Sequence, residues 1–373
     1  MKRILHQFFL CILACLPLFF LLSLSACNRG RGRVLEIAYV SGVQAILRDH
    51  VAAVYEKTGV VKNGERVEVL DHDRRFVKVR TAAGVTGWVE QRYLVSQEVF
   101  DQIQKLTADN QNDPVQAQGA ARNDTNLHVE PGRDTEHLYQ ISTGEKLSLL
   151  KRGTAEKPGA VAPPSRSATP GSNSQNSDLQ KNDSEKNDKK QPVPVIPVPV
   201  IEDWWLVRDS HDRVGWVLGR MIDLDLPLDV AQYAEGQRVV AFFALNQVQD
   251  RDKKVVQYLT VLTEPKDGLP FDFNQIRVFT WNVKRHRYET AYRERMEGVL
   301  PVTVSRENFD KEGLLPVFII RVKDDKGNVT ERKYKLNTPI VRRVYGPGEE
   351  PVRTVSRKAV SKKAVSRKAK GKP

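Results

Sequence analysis

The chain has three cysteines in 373 residues, and all of them, Cys11, Cys15 and Cys27, fall within its first 27 positions. From residue 28 onward no disulfide within the chain is available and no thiol can act as a nucleophile, so a folded core there stands on packing alone. Histidine is also sparse. After His6 come His50, His72, His128, His137, His211 and His286, with no pair two or four apart and no His-Glu-x-x-His run. The spacing that sets two imidazoles on one face for zinc is therefore missing. A Gly-x-Ser-x-Gly elbow, a P-loop and a Gly-rich dinucleotide turn are missing too. Asp71-His72-Asp73 falls at a tight turn, where such side chains hydrogen-bond the local backbone. No catalytic residue, metal ligand or cofactor is expected, and an enzyme would need an unfamiliar site in residues 230–345.

Acidic residues are absent from both ends. Lys2 and Arg3 precede the apolar stretch "ILHQFFLCILACLPLFFLL", which closes on Leu24-Ser25-Ala26-Cys27. This segment, residues 1–26, resembles a lipoprotein signal peptide with its lipobox. The resemblance implies that Cys27 takes a diacylglycerol on its thiol, becomes the new N-terminus and partners membrane lipid. In enterobacterial lipoproteins an aspartate after the cysteine retains the protein at the inner membrane. Asn28 stands there instead, so the expectation is an outer-membrane anchor facing the periplasm in a host with two membranes.

At the far end, nine basic residues lie between Arg353 and Lys372. Removing those nine, together with Lys2 and Arg3, from a formal net charge of +13 leaves only +2 for residues 27–352. The basic balance belongs to a tail, not to a binding face. The tail repeats every five residues, as in Val355-Ser356-Arg357-Lys358-Ala359 and Val360-Ser361-Lys362-Lys363-Ala364, a period of neither helix nor strand. Its like charges repel, so residues 346–373 are expected to be disordered. On an exported lipoprotein the tail would meet anionic envelope polymers or lipid phosphates; no nucleic acid is expected.

Between these ends the sequence repeats. Val79-Arg80 is followed after six residues by Gly87-Trp88-Val89, and Val207-Arg208 after six by Gly215-Trp216-Val217. Upstream, "ERVEVLDHD" and "RFVKVRT" alternate apolar and polar residues at strand period, with Lys62-Asn63-Gly64 and Ala83-Gly84 as turns. Residues 35–95 resemble a bacterial SH3 domain, which implies a small β-barrel. Leu47-Arg48-Asp49 lacks the Gly-Pro of the family's usual opening. Leu127-His128-Val129-Glu130-Pro131-Gly132 opens a second copy, residues 123–226, with Glu130 in place of the usual arginine. Gly64-Glu65 aligns with Gly144-Glu145, 80 residues on, but Trp88 aligns with Trp216, 128 residues on. The 48-residue difference falls between two adjacent strands of the second barrel.

That insert, residues 152–202, is rich in Pro, Gly, Ser, Asn, Asp and Lys and has no aromatic residue. It cannot bury enough apolar surface to offset its ordering entropy, and disorder is expected. A long polar loop is tolerable, since each doubling of loop length costs only about 0.6 kcal/mol. Pro192 to Pro199 reads as a polyproline II spacer. Residues 96–122 read as a helix, with Val99, Ile103 and Leu106 at helical spacing after a Ser96 cap, and then a linker.

Residues 230–345 read as seven strands with no βαβ alternation, an antiparallel sandwich or small barrel. The hairpin "VKRHRYETAYRERM" interleaves basic residues and tyrosines. It reads either as a grip on a sugar or anionic polymer, or as a solvated turn with one tyrosine face in the core.

The expected fold is thus all-β: two SH3-like barrels, the second interrupted, a C-terminal antiparallel β-domain and a disordered basic tail. The expected work is binding or scaffolding at the cell envelope, without catalysis. The SH3 resemblance implies peptidoglycan or its stem peptides as ligand; an envelope-protein adaptor is the alternative. In the second barrel Trp204, Trp216 and Tyr139 are the candidate stacking platforms and Arg208 the candidate carboxylate partner, with Trp88 in the first.

Overall fold

A computed structural model describes residues 33–162, 198–324 and 326–346. The leading segment with Cys27, residues 163–197 and the basic tail, about which lipidation and disorder were expected, lie outside them. Among the described residues no helix is long and apolar enough to cross a membrane.

Alternating valines build the first sheet from β1 (Glu36–Val40), β2 (Gln44–Arg48), β3 (Lys57–Lys62), β4 (Arg66–Asp73), β5 (Phe76–Thr81), β6 (Thr86–Glu90) and β7 (Leu94–Ser96). Val67, Val69, Val77, Val79 and Val89 point inward, each at most 2% exposed, and pack with Leu47 and Val61. The strand order is β3-β2-β6-β5-β4-β1-β7. Its hydrogen bonding does not close into a ring, so the expected barrel is an open, SH3-like antiparallel sheet.

The second sheet comprises β8 (Ala117–Ala121), β9 (Thr125–His128), β10 (His137–Ile141), β11 (Lys146–Ala162), β12 (Val198–Arg208), β13 (Val214–Leu218) and β14 (Ile222–Leu224). Its order, β10-β9-β13-β12-β11-β8-β14, is the first order with every label raised by seven. Two expected boundaries are corrected here. The linker before the second copy contains a strand, β8, which pairs with β11 from Ala117↔Leu149 to Ala120↔Lys146. Alanine and glycine hid it from a periodicity reading that weights large apolar residues. Residues 152–162 and 198–202, assigned by composition to the insert, continue strands β11 and β12.

The third sheet is a meander, β15 (Arg238–Asp250), β16 (Lys253–Thr263), β17 (Phe273–Asn282), β18 (Arg287–Phe309), β19 (Gly313–Lys323), β20 (Val329–Asn337) and β21 (Ile340–Val344), each paired with the next. These are the seven expected strands, with β18 running far past Met296. Its register with β19 shifts between Val299 and Thr303, around Pro301, which has no amide to give the ladder. The core centres on Phe273, Phe318 and Tyr334, all fully buried, with the last two rings stacked at 5.1 Å.

The described chain divides into two compact units. The first holds residues 33–111, 121–145 and 208–221, which include the first sheet, β9, β10, β13 and the helix α1 (Gln97–Asp109). Ser96 occupies the expected N-cap position, but its side chain makes no capping bond. Val99 and Ile103 of α1 are buried, and Tyr39 stacks on Phe100 at 4.1 Å. Thr107 accepts the Val214 amide of β13 on its hydroxyl at 3.0 Å.

The second unit holds residues 112–120, 146–162, 198–207 and the described part of 222–346. Two buried polar clamps join its parts. Gln116, fully buried, accepts the Val302 amide at 2.8 Å and donates to the Val302 carbonyl at 3.3 Å, so its side chain substitutes for a strand. Arg152 on β11 reaches Asp203 on β12 at 2.6 Å and Asp272 at 3.2 Å, and donates to the Phe271 carbonyl at 3.0 Å. Asp203 also receives Arg238 at 2.6 Å and the Gly268 amide at 3.0 Å.

Candidate functional site

The duplication extends to single hydrogen bonds. Gly64 donates to the Val40 carbonyl at 2.7 Å and Gly144 to that of Ala121 at 2.7 Å. Glu65 and Glu145 each accept the amide three residues earlier on their carboxylate, at 3.0 and 3.3 Å. Both glycines sit at positive φ, 76° and 82°, where a side chain would be strained. The Gly-Trp-Val signature has its reason too. A Cβ on Gly87 would lie 2.8 Å from the Leu47 Cβ, and one on Gly215 2.7 Å from the Leu127 Cβ. Each tryptophan pairs with the strand that opens its copy, Trp88 opposite Arg48 of β2 and Trp216 opposite His128 of β9.

The two copies also touch one another within the first unit. The Asn63 amide donates to the Leu138 carbonyl at 2.8 Å and accepts the Gln140 amide at 3.1 Å, pairing with β10 as a strand would. Thr143, the counterpart of Asn63, is instead tied to Asp124 through its amide and hydroxyl, at 2.8 and 2.9 Å.

The anticipated platforms of the second copy are mostly closed off. Trp204 is 2% exposed and offers no face to solvent in this conformation. Tyr139 is buried, with the Arg213 guanidinium 4.2 Å above its ring. Arg208 donates to the Asn110 and Gln111 carbonyls at 2.9 and 2.7 Å, satisfying the end of α1 rather than awaiting a carboxylate. Trp216 and Trp88 are half-buried. At the tip of the second copy His128 stands opposite His137, rings 5.2 Å apart. Burial first, and His137 second, push the His128 imidazole down to about 4. Arginine occupies that position in the first copy.

The first copy carries a cleft the sequence reading missed. It encloses about 540 Å³ and is lined by Arg48, Arg74, Arg75, Phe76 and Val51 to Ala53. Phe76, 5% exposed, is the floor, and the Arg48 and Arg75 guanidinium carbons stand 5.1 and 5.5 Å from its ring centroid. Arg48 also lies 4.1 Å over Tyr55. Strand register puts Trp88 and Lys78 on the same face as Arg48. Glu90 is shared by Arg48 at 3.4 Å and Arg92 at 2.9 Å. Opposite, Asp49 closes the loop by accepting the His50 and Glu56 amides at 2.9 and 2.8 Å. The only sequence signal was Arg74-Arg75 in a hairpin turn, which reads as an ordinary solvated turn until Arg48 is seen beside it.

In the third sheet Tyr288 is buried and donates to the Val256 carbonyl at 2.7 Å, while Arg285 and Arg287 meet Glu289 and His286 meets Asp250 at 2.6 Å. This hairpin follows the solvated-turn reading, with its tyrosine in the core. Among the described residues one trio, Glu145, Asp209 and His211, brings three ligand atoms within 4.8 Å of one another. The Asp209 carboxylate already holds Arg213 at 2.6 Å, so a guanidinium stands where a cation would.

Residues 45–95, from β2 to β7, match the family model of the bacterial SH3 domain. No curated protein matches the sequence. Among solved structures the chain is similar to NlpC1 from Trichomonas vaginalis, at 9% identity over 85% of this chain and 93% of that one, with a TM-score of 0.17. It is similar also to an NlpC/P60 family protein from Bacillus cereus, at 12% identity over 83% and 100%, with a TM-score of 0.21. At such scores these likenesses carry no argument about fold or function.

Proposed function

We propose that this protein is a lipid-anchored binding or scaffold protein of the bacterial cell envelope, without catalytic activity, in which the SH3 modules hold peptidoglycan through its stem peptides. The observation that carries the reading is the match of residues 45–95 to the bacterial SH3 domain, with the strand order of the first sheet repeated in the second. The half-buried Trp88 and Trp216 supply amphipathic ring surface of the kind that suits wall fragments. Cys27 is the lipid attachment point, on an outer membrane facing the periplasm where the host has one. The basic tail adds attraction to anionic envelope polymers.

Sedimentation of the mature chain with purified peptidoglycan tests the reading. The wild type is expected in the pellet, and Trp88→Ala with Trp216→Ala in the supernatant. A wild-type chain that stays in the supernatant, yet captures a defined envelope protein, would transfer the function to an adaptor.

A further inference from the structure

We propose that the cleft over Phe76 is an anion site that takes the carboxylates of a short acidic peptide. The inference rests on the wall-binding reading and names the ligand chemistry of its first module. Arg48, Arg74 and Arg75 line a space of about 540 Å³, and the guanidiniums of Arg48 and Arg75 stand 5.1 and 5.5 Å from the Phe76 ring. The carboxylate bonded to Arg48, that of Glu90, is divided between Arg48 and Arg92, and its contact with Arg48 is long, at 3.4 Å. Arg48 has five N–H donors in a planar fork, so one long bond leaves most of its capacity for a bidentate carboxylate. Among the described residues, Arg74 and Arg75 have no side-chain hydrogen bond or ion pair of their own.

The turn itself departs from local preference. Asp73 pairs with Phe76, so Arg74 and Arg75 form a two-residue hairpin loop, the kind that favours Asn-Gly because it needs positive φ. Arg74 adopts φ 53° nevertheless. A non-glycine residue held in this region costs on the order of 1 kcal/mol, a cost commonly found at functional sites. What the arrangement gains is two arginines lining one cleft, with the Arg75 guanidinium 5.5 Å from the Phe76 ring. A guanidinium pairs with phosphate as well as carboxylate. The half-buried Tyr55 ring beside Arg48 favours a peptide carrying a side chain to lay against it.

The second copy lacks each of these parts. His128 replaces Arg48 and is held uncharged at neutral pH. The two-residue turn is replaced by the long arms of β11 and β12. The anion site is thus a property of the first module alone.

Titration calorimetry with the mature chain tests this, using the tripeptide Ala-Glu-Ala with a free C-terminus, its Ala-Gln-Ala amide, and glycerol phosphate. The free acid should bind at least about tenfold more tightly than the neutral peptide, and lose about tenfold in Arg48→Gln and in Arg75→Gln. Arg75 lies on an exposed turn, so that variant keeps the fold even where Arg48→Gln, which unpairs Glu90, does not. Glu90→Gln should leave binding equal or tighter. Equal affinity for acid and neutral peptides, or unchanged affinity in Arg75→Gln, would overturn the site. Tighter binding of glycerol phosphate than of the peptide overturns the peptide assignment in favour of phosphate polymers. Peptidoglycan sedimentation with no peptide binding sinks this inference and leaves the wall reading standing; peptide binding with no sedimentation does the reverse.

Discussion

Single residues here do work that their type alone does not announce. Gly87 and Gly215 are required because a neighbouring strand passes with its leucine Cβ closer than 3 Å to where theirs would be. Gly215→Ala is therefore expected to cost about 1–3 kcal/mol through overpacking, read as a lowered urea midpoint. Asn63 binds the two modules with both ends of one amide. Asn63→Ala leaves a half-buried carbonyl and an amide without partners, at about 1–3 kcal/mol, and amide hydrogen exchange at Gln140 should accelerate. Trp204→Ala removes a core side chain and should cost about 3–5 kcal/mol, while half-buried Trp216 should cost less.

At the scale of elements, β11 and β12 matter most, since residues 163–197 lie between them in the sequence. Their inner ends are fastened by Arg152 and Asp203, which are 6% and 4% exposed at their side chains. Three donors converge on Asp203, from Arg152, Arg238 and the Gly268 amide, and burial without them would be prohibitive. Arg152→Ala should therefore cost about 3–5 kcal/mol, because it takes the guanidinium partner from Asp272 and one of two from Asp203, whereas replacing Arg152 and Asp203 together by apolar residues should cost less. A double-mutant cycle in urea checks the difference. Excising residues 163–197 and joining the strand ends with a short turn should shift the unfolding midpoint by no more than about 1 kcal/mol, given the weak dependence of closure entropy on length. A large loss of stability would mean that those residues contribute packing.

For the whole molecule, charge and pH are the levers. His128 is pushed down to about 4 against an ordinary 6.5. Its folded state therefore resists a proton that the unfolded chain accepts. The resulting stability is complete above pH 6.5 and declines as pH falls towards 4. Urea midpoints measured from pH 7 to 4 should drop more steeply for the wild type than for His128→Gln; parallel curves would dismiss the effect. Deleting residues 353–373 removes the nine basic groups and should reduce salt-sensitive binding to anionic vesicles, leaving neutral vesicles unaffected.

Some of this was readable along the chain, and some was not. Alternating valines in β4 and β5, the repeated Gly-Trp-Val step and the seven C-terminal strands were legible because strand period and turn chemistry are local properties. The duplication was legible for the same reason, whereas the bounds of the polar insert were not, since its two ends continue β11 and β12. The Ala-Gln-Gly-Ala-Ala strand β8 was not, since its pairing with β11 comes from a partner distant in sequence. Neither was the cleft. Arg48 and Arg75 sit on different hairpins, and only folding sets their guanidiniums over one phenylalanine. Exposure is decided last of all: sequence makes Trp204 aromatic, but whether its ring meets solvent or core depends on what the rest of the chain lays over it.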